Sequence, residues 1–239
     1  MPQQMKIATH VKAFLLIPFI LVSGCIEKEP DKALLSTDSA PDIYKTEFEN
    51  DYVRIVRVLY SPGQTSGMHS HVPFVGVTLT GQEGTVFKYR DGSSEAMPST
   101  KPGELIYPSS PSTPHSVTAG STKEEHVFVE FKMPYEVKTS SVPNLVEVAP
   151  DIATVELQMP KFRVIRIRNP ANSETPIHSH NAGVSIALTD IDVEVVSESG
   201  KPRRMTRLAG DALWQGPRGA HKGRNLSAST NEMLLIEML

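Results

Sequence analysis

The sequence predicts an all-β chain built as two tandem small barrels, and three observations carry that expectation. First, the chain repeats itself. A shift of 109 residues lays Arg54–Gly81 on Arg163–Asp190 without a gap, with eight of 28 positions identical, among them His69/His178, Ser70/Ser179 and His71/His180. Mismatches such as Ile55/Val164 and Val56/Ile165 keep the apolar pattern, and the register continues with small gaps through Gly103/Gly210, Tyr107/Trp214 and His115/His221 to the C-terminus. Such self-similarity marks two homologous domains. Second, apolar residues alternate or run in short stretches bounded by Gly and Pro, which is the pattern of strands and turns. Third, no long stretch shows strong helical periodicity.

Residues 1–24 carry Lys6 and Lys12, the apolar run Ala13–Val22 and then Val22-Ser23-Gly24-Cys25. That order is a signal peptide whose end resembles a bacterial lipobox. Ten apolar residues make a helix of roughly 15 Å against a bilayer core of about 30 Å, so the segment is too short to span. The resemblance implies lipidation of Cys25, the single cysteine, as the new N-terminus. No disulfide is then available, and two or three acyl chains give durable membrane anchoring. It also implies a cell-envelope location, on the outer membrane facing the periplasm in a Gram-negative cell, because Ile26 is not the aspartate that favours inner-membrane retention. Residues 25–43, rich in charges, Ser, Thr and Pro, read as a flexible tether.

The first barrel is expected over residues 44–138, with strands at Tyr52–Tyr60, Val75–Thr80, Thr85–Tyr89, Leu105–Tyr107 and Val127–Phe131. Ser61-Pro62-Gly63, Gly81-Gln82-Glu83-Gly84, Asp91-Gly92 and Lys101-Pro102-Gly103 separate them as turns. A linker follows at 139–151, and Asn144–Leu157 suits a short helix or another strand. The second barrel, 152–239, repeats the strands at Phe162–Ile167, Val184–Leu188, Val193–Val196, Ala212–Trp214 and Met233–Glu237.

Six of the eight histidines fall into two copies of one pattern, His69-x-His71 with His115, and His178-x-His180 with His221. On a strand, His-x-His points both imidazoles to one face, and a barrel can bring a third from a distant strand. That is the form of a three-histidine metal site. Gly63-x5-His69-x-His71, followed by Gly103, Pro108, Pro114 and His115, strongly resembles the two motifs of the cupin superfamily, and the second copy is similar, with Asn225 four residues after His221. The resemblance covers both domains and implies a bicupin, two conical jelly-roll-like β-barrels, each with a divalent metal (Fe, Mn, Zn or Ni) inside its mouth. Many cupins add a metal-binding glutamate four residues after the second histidine, where this chain has Val75 and Val184. Three neutral imidazoles would leave the metal its full charge and open positions, which favours the three-histidine cupins that activate dioxygen.

Other residues carry a bland reading beside a sharp one. Tyr107 and Trp214, at equivalent places, are core aromatics by default and candidates to stack on a ligand at the barrel mouths. Arg57 and Arg166 alternate with Val and Ile, the mark of a solvated strand face, with binding of a substrate carboxylate as the alternative, and His126 lies outside the repeat and reads as structural. Glu130 and Glu237 read as outward-facing, with a carboxylate turned toward the metal as the alternative. Removal of Lys6 and Lys12 with the leader takes the formal charge from −3 to −5, and no Lys/Arg cluster suggests nucleic acid as a partner. Two functions are open: a metal-dependent dioxygenase-like enzyme acting on a small molecule, and a non-catalytic envelope lipoprotein that binds a small molecule or metal. A homo-oligomer is compatible with either.

Overall fold

The computed structural model describes residues 34–108, 110–137 and 140–239. The leader and Cys25 lie outside them. The first barrel contains β1 (Tyr44–Glu49), β2 (Val53–Tyr60), β3 (Phe74–Thr78), β4 (Val86–Tyr89), β5 (Ser94–Ala96), β6 (Leu105–Ile106), β7 (His115–Thr118) and β8 (Glu124–Phe131). The second contains β9 (Ala153–Gln158), β10 (Phe162–Asn169), β11 (His178–His180), β12 (Gly183–Ala187), β13 (Ile191–Ser197), β14 (Pro202–Arg207), β15 (Ala212–Gln215), β16 (Arg218–Asn225) and β17 (Asn231–Met238). In each barrel a five-stranded antiparallel sheet, β1-β2-β8-β3-β6 or β9-β10-β17-β12-β15, faces a smaller one, β5-β4-β7 or β14-β13-β16-β11.

The repeat reaches further toward the N-terminus than the strand pattern alone discloses. Residues 34–43, which read as tether, hold the short helix α1 (Ser36–Ser39) and the buried Ile43. The span that reads as linker holds α2 (Leu145–Val148), and both alternatives for Asn144–Leu157 occur there, helix first and then β9. The two helices are equivalent: Leu35 bridges Ser70 as Asn144 bridges Ser179. α2 begins with a capping box, in which Asn144 accepts from the Val146 amide and Glu147 accepts from the Asn144 amide.

Alternation of side chains along the strands explains why the two barrels form one body. On β2, Val56, Val58 and Tyr60 face the barrel interior, while Val53 and Ile55 face the other barrel. β8, β10 and β17 divide in the same way. A single apolar core therefore runs between the two large sheets, from Val75, Val77, Val127 and Val129 on one side to Val164, Val184, Ile186, Leu234 and Ile236 on the other, all fully buried. Strands covered on both faces read as near-continuous apolar runs, which is how β2 and β10 read.

Arg57 and Arg166 are the exception to the solvated-face expectation. Each reaches across to the other barrel: Arg57 Nη2 donates to Gly210 O at 2.8 Å and Arg166 Nη2 to Gly103 O at 2.6 Å. Both acceptor glycines have positive φ, 89° and 83°, which turns their carbonyls toward the arginines at little steric cost. Carboxylates flank each guanidinium, Glu47 and Glu125 for Arg57, Glu156 and Glu232 for Arg166. Arg166→Ala would leave the Glu156 carboxylate and the Gly103 carbonyl without their donor, and Glu232 with Arg168 alone. It is expected to lower stability by about 2–5 kcal/mol, read from urea unfolding; a change under about 0.5 kcal/mol would mean that the cross-barrel contact adds nothing.

Candidate metal centres

Both triads predicted from sequence assemble. In each of the sets His69, His71, His115 and His178, His180, His221, ligand nitrogens lie within 4.8 Å of one another. All six imidazoles are buried. The third histidine arrives by antiparallel pairing, with His115 opposite His69 and His221 opposite His178.

Backbone carbonyls set the tautomers. His69 Nδ1 donates to Gly67 O at 2.8 Å, His115 Nδ1 to Thr113 O at 2.8 Å, His178 Nδ1 to Pro176 O at 2.7 Å and His221 Nδ1 to Gly219 O at 2.8 Å. A carbonyl only accepts, so each Nδ1 carries the proton and each Nε2 presents its lone pair to the centre. Two nitrogens each about 2.1 Å from one ion stand roughly 3.0–3.4 Å apart, given ordinary coordination geometry. His178 Nε2 and His180 Nε2 stand 3.1 Å apart. The donor set fits a divalent metal in each barrel, and in the second the spacing of His178 and His180 fits one as well.

The remaining histidine of each triad is backed by a carboxylate. Glu130 Oε1 and Glu237 Oε1 each lie 3.9 Å from the Nδ1 of His71 and His180, and neither Nδ1 has a hydrogen bond. These glutamates are fully buried and face inward, against expectation, because they alternate with the inter-barrel residues Val129 and Ile236. Arg54 and Arg163 neutralise them from the same interior face, with Nε to carboxylate distances of 2.7 Å. In the second barrel Asn144 Nδ2 and the Asn181 amide also donate to Glu237 Oε1. Each carboxylate thus sits behind a ligand histidine, 3.9 Å from a ring nitrogen that has no hydrogen bond.

Val75 and Val184, read as standing in place of a metal-binding glutamate, point into the inter-barrel core. The inward positions beside them are Phe74 and Gly76, and Gly183 and Ser185. No carboxylate comes from this strand in either barrel, so the three-histidine reading stands on different residues.

Burial disfavours the charged form of five of the six imidazoles. It pushes His69 down to about 3 and His178 to about 4, and moves His115, His180 and His221 down as well. An unfolded histidine titrates at 6.5. Below that pH the unfolded chain binds protons that the folded sites refuse, so stability is full above pH 6.5 and falls as pH drops toward 4. The metal-free protein is expected to show a urea midpoint that declines across that window; a flat midpoint would mean imidazoles already charged in the fold.

The two cavities differ chemically around similar triads. The first, about 550 Å³, is lined by aromatic and acidic groups. Tyr44 Oη lies 3.1 Å from His69 Nε2 and 2.6 Å from Tyr60 Oη. Burial raises Tyr44 well above the usual phenol range and takes Tyr60 to about 12. Further along β8, His126 lines this cavity beside Glu124, at 3.8 Å, with its Nδ1 unpaired. His126 is therefore a cavity residue, and the signal for it was its inward parity with Glu124 and Phe128. The second barrel has Asn231 and Met233 at these places.

Tyr107 is exposed and Trp214 half-buried, so neither is a fully buried core aromatic. Each lines its own barrel's cavity. Each also meets aromatics across the domain boundary: Tyr107 is edge-on to Phe162 with centroids 6.1 Å apart, and Trp214 stacks on Tyr52 at 6.1 Å.

No family model and no curated protein matches the sequence. Solved structures do match in fold. The salicylate 1,2-dioxygenase of Pseudoaminobacter salicylatoxidans, as a variant, aligns with TM-score 0.52 and 13% identity over 77% of this chain and 71% of its own. An oxalate decarboxylase from Lactobacillus farciminis gives TM-score 0.51 and 12% identity over 81% and 80%. A cupin 2 conserved barrel domain protein from Leptotrichia buccalis gives 0.50 and 8% over 82% and 88%. The fold is that of two tandem cupin barrels.

Proposed function

We propose, from two cupin barrels that each hold a convergent, all-imidazole triad, that this protein binds a divalent metal in each barrel and oxidises a small molecule with dioxygen in the first. The observation that carries the reading is the pair of triads whose ring nitrogens converge with no carboxylate among them. A metal held by three neutral nitrogens keeps its charge and open positions, and iron there would supply dioxygen chemistry. The chain's own groups would do the rest. Phe74, Phe87 and Phe128 make the first cavity apolar enough to exclude water from a bound substrate. Tyr44 stands where its hydroxyl can donate a hydrogen bond to a ligand atom near His69, and the Glu124–His126 pair can hold or move a proton at the far wall. We further propose that the chain is lipid-anchored through Cys25 in the cell envelope; the lipobox-like Val22-Ser23-Gly24-Cys25 supports this.

The fold alone does not select the chemistry, since its structural neighbours include both a dioxygenase and a decarboxylase. The test is oxygen uptake by the ferrous-loaded protein with catechol, β-diketone and thiol substrates in turn. Turnover that disappears in His69→Ala/His71→Ala supports the enzyme. Inertness across the panel, with metal bound, favours the second reading, an envelope protein that binds a small molecule without turning it over. The different linings of the two cavities support that alternative.

A further inference from the structure

The second barrel contains a feature that the first lacks. Arg218 opens β16, three residues before His221 and opposite His180 across the sheet. Its side chain is half-buried and lines both the cavity under the triad and the wider mouth, a cleft of about 500 Å³. The guanidinium has no hydrogen bond or ion pair among the described residues. A partly desolvated cation without a partner is costly, and the cost is recovered when an anion supplies the hydrogen bonds.

No carboxylate among the described residues pairs with it. Lys201 and Arg203 add positive charge at the mouth, against Glu198 alone on the same lining. Deeper, Arg207 is 6% exposed; its Nη atoms donate to Ser185 and to Asp211 O, but its Nε is buried without a partner on the cavity wall. The repeat shows that this charge is particular to the second barrel. The residues three before the matching landmarks His115 and Gly103 are Ser112 and Thr100. The first cavity is instead lined by Glu95 and Glu124.

We propose that the second barrel is a binding site for a small oxyanion, a carboxylate or a phosphate, held by the Arg218 guanidinium beside the histidine triad. A planar guanidinium fork pairs two oxygens of such a group at once. The inference deepens the metal reading of the same barrel, and the two can fail separately because metal content and anion binding are measured apart.

The experiment is calorimetric titration of the full chain in detergent, metal-free and zinc-loaded, with benzoate and with inorganic phosphate, beside Arg218→Gln and Arg218→Lys. Binding of either probe by the zinc-loaded wild type, weakened about tenfold or more by Arg218→Gln and less by Arg218→Lys at unchanged zinc content, is the expected result. Benzoate alone would identify carboxylates as the ligands, and phosphate alone phosphoryl groups. Zinc bound with neither probe taken up, or affinities equal in wild type and Arg218→Gln, overturns the proposal. Anion bound, with the same dependence on Arg218, by a chain that takes up no zinc would uphold the proposal and count against the metal reading instead. Arg207→Gln is left out of the decisive comparison because its contacts to Ser185 and Asp211 are part of the fold.

Discussion

His69→Ala/His71→Ala is expected to lower bound metal from about two to about one per chain, and adding His178→Ala/His180→Ala to bring it to about zero, as read by elemental analysis of protein loaded with iron, zinc, manganese or nickel. The size of the effect follows from the geometry. Two nitrogens of three are removed from each centre, and the one left, His115 or His221, cannot hold an ion against water alone. The pairs are also independent of the inter-barrel core, since all six imidazoles face inward while Val53, Val75 and Val164 face across. Loss should therefore be confined to the barrel mutated. Glu130→Gln is the finer probe, because it removes the negative charge behind His71 and keeps the shape. It should weaken metal in the first barrel by about 10–100-fold without abolishing it. Wild-type protein that binds no metal under any loading would end the metal reading, and the arrangement would then be a buried imidazole cluster.

The triads could be read from sequence because their spacing obeys two simple rules, alternation along one strand and repetition at a fixed shift. What faced them could not. Val75 stands one residue from an inward position, and the family spacing that points to it carries no information on which face of this strand it takes. Once β3 is covered on both faces, both parities are apolar and the pattern loses its direction. Arg57 and Arg166 failed for the related reason that the outer face of each barrel is the inner face of the pair. Glu130 and Glu237 followed, since a buried carboxylate reads as exposed unless its arginine, 76 or 74 residues away, is known to share the interior. The strands β5 and β14 are not legible because their residues are mostly polar or exposed, with no apolar alternation to announce them.

Ile236→Ala is expected to cost about 2–5 kcal/mol and to lower the unfolding of the whole molecule, not of the second barrel alone. Ile236 is fully buried in the apolar layer made jointly by β2, β3 and β8 of one barrel and β10, β12 and β17 of the other. Deleting three carbons there opens a cavity against residues of both barrels. Arg57 and Arg166 tie the edges of the same layer to the opposite backbone, so neither large sheet has a solvated outer face on which to stand by itself. A barrel separated from its partner would expose Val53, Ile55 and Val129, or Val164, Ile186 and Ile236, as a contiguous apolar surface of the kind that drives association. Calorimetric unfolding should accordingly give a single transition, and Val129→Ala on the first barrel should move that same transition by a comparable step. Two transitions, with Ile236→Ala moving one and Val129→Ala the other, would show that the barrels are stable independently and that the shared layer only docks them. A single transition also carries a consequence for the sites: metal bound in either barrel stabilises both by mass action, so loading the first triad would raise the unfolding temperature of a chain whose second triad has been removed.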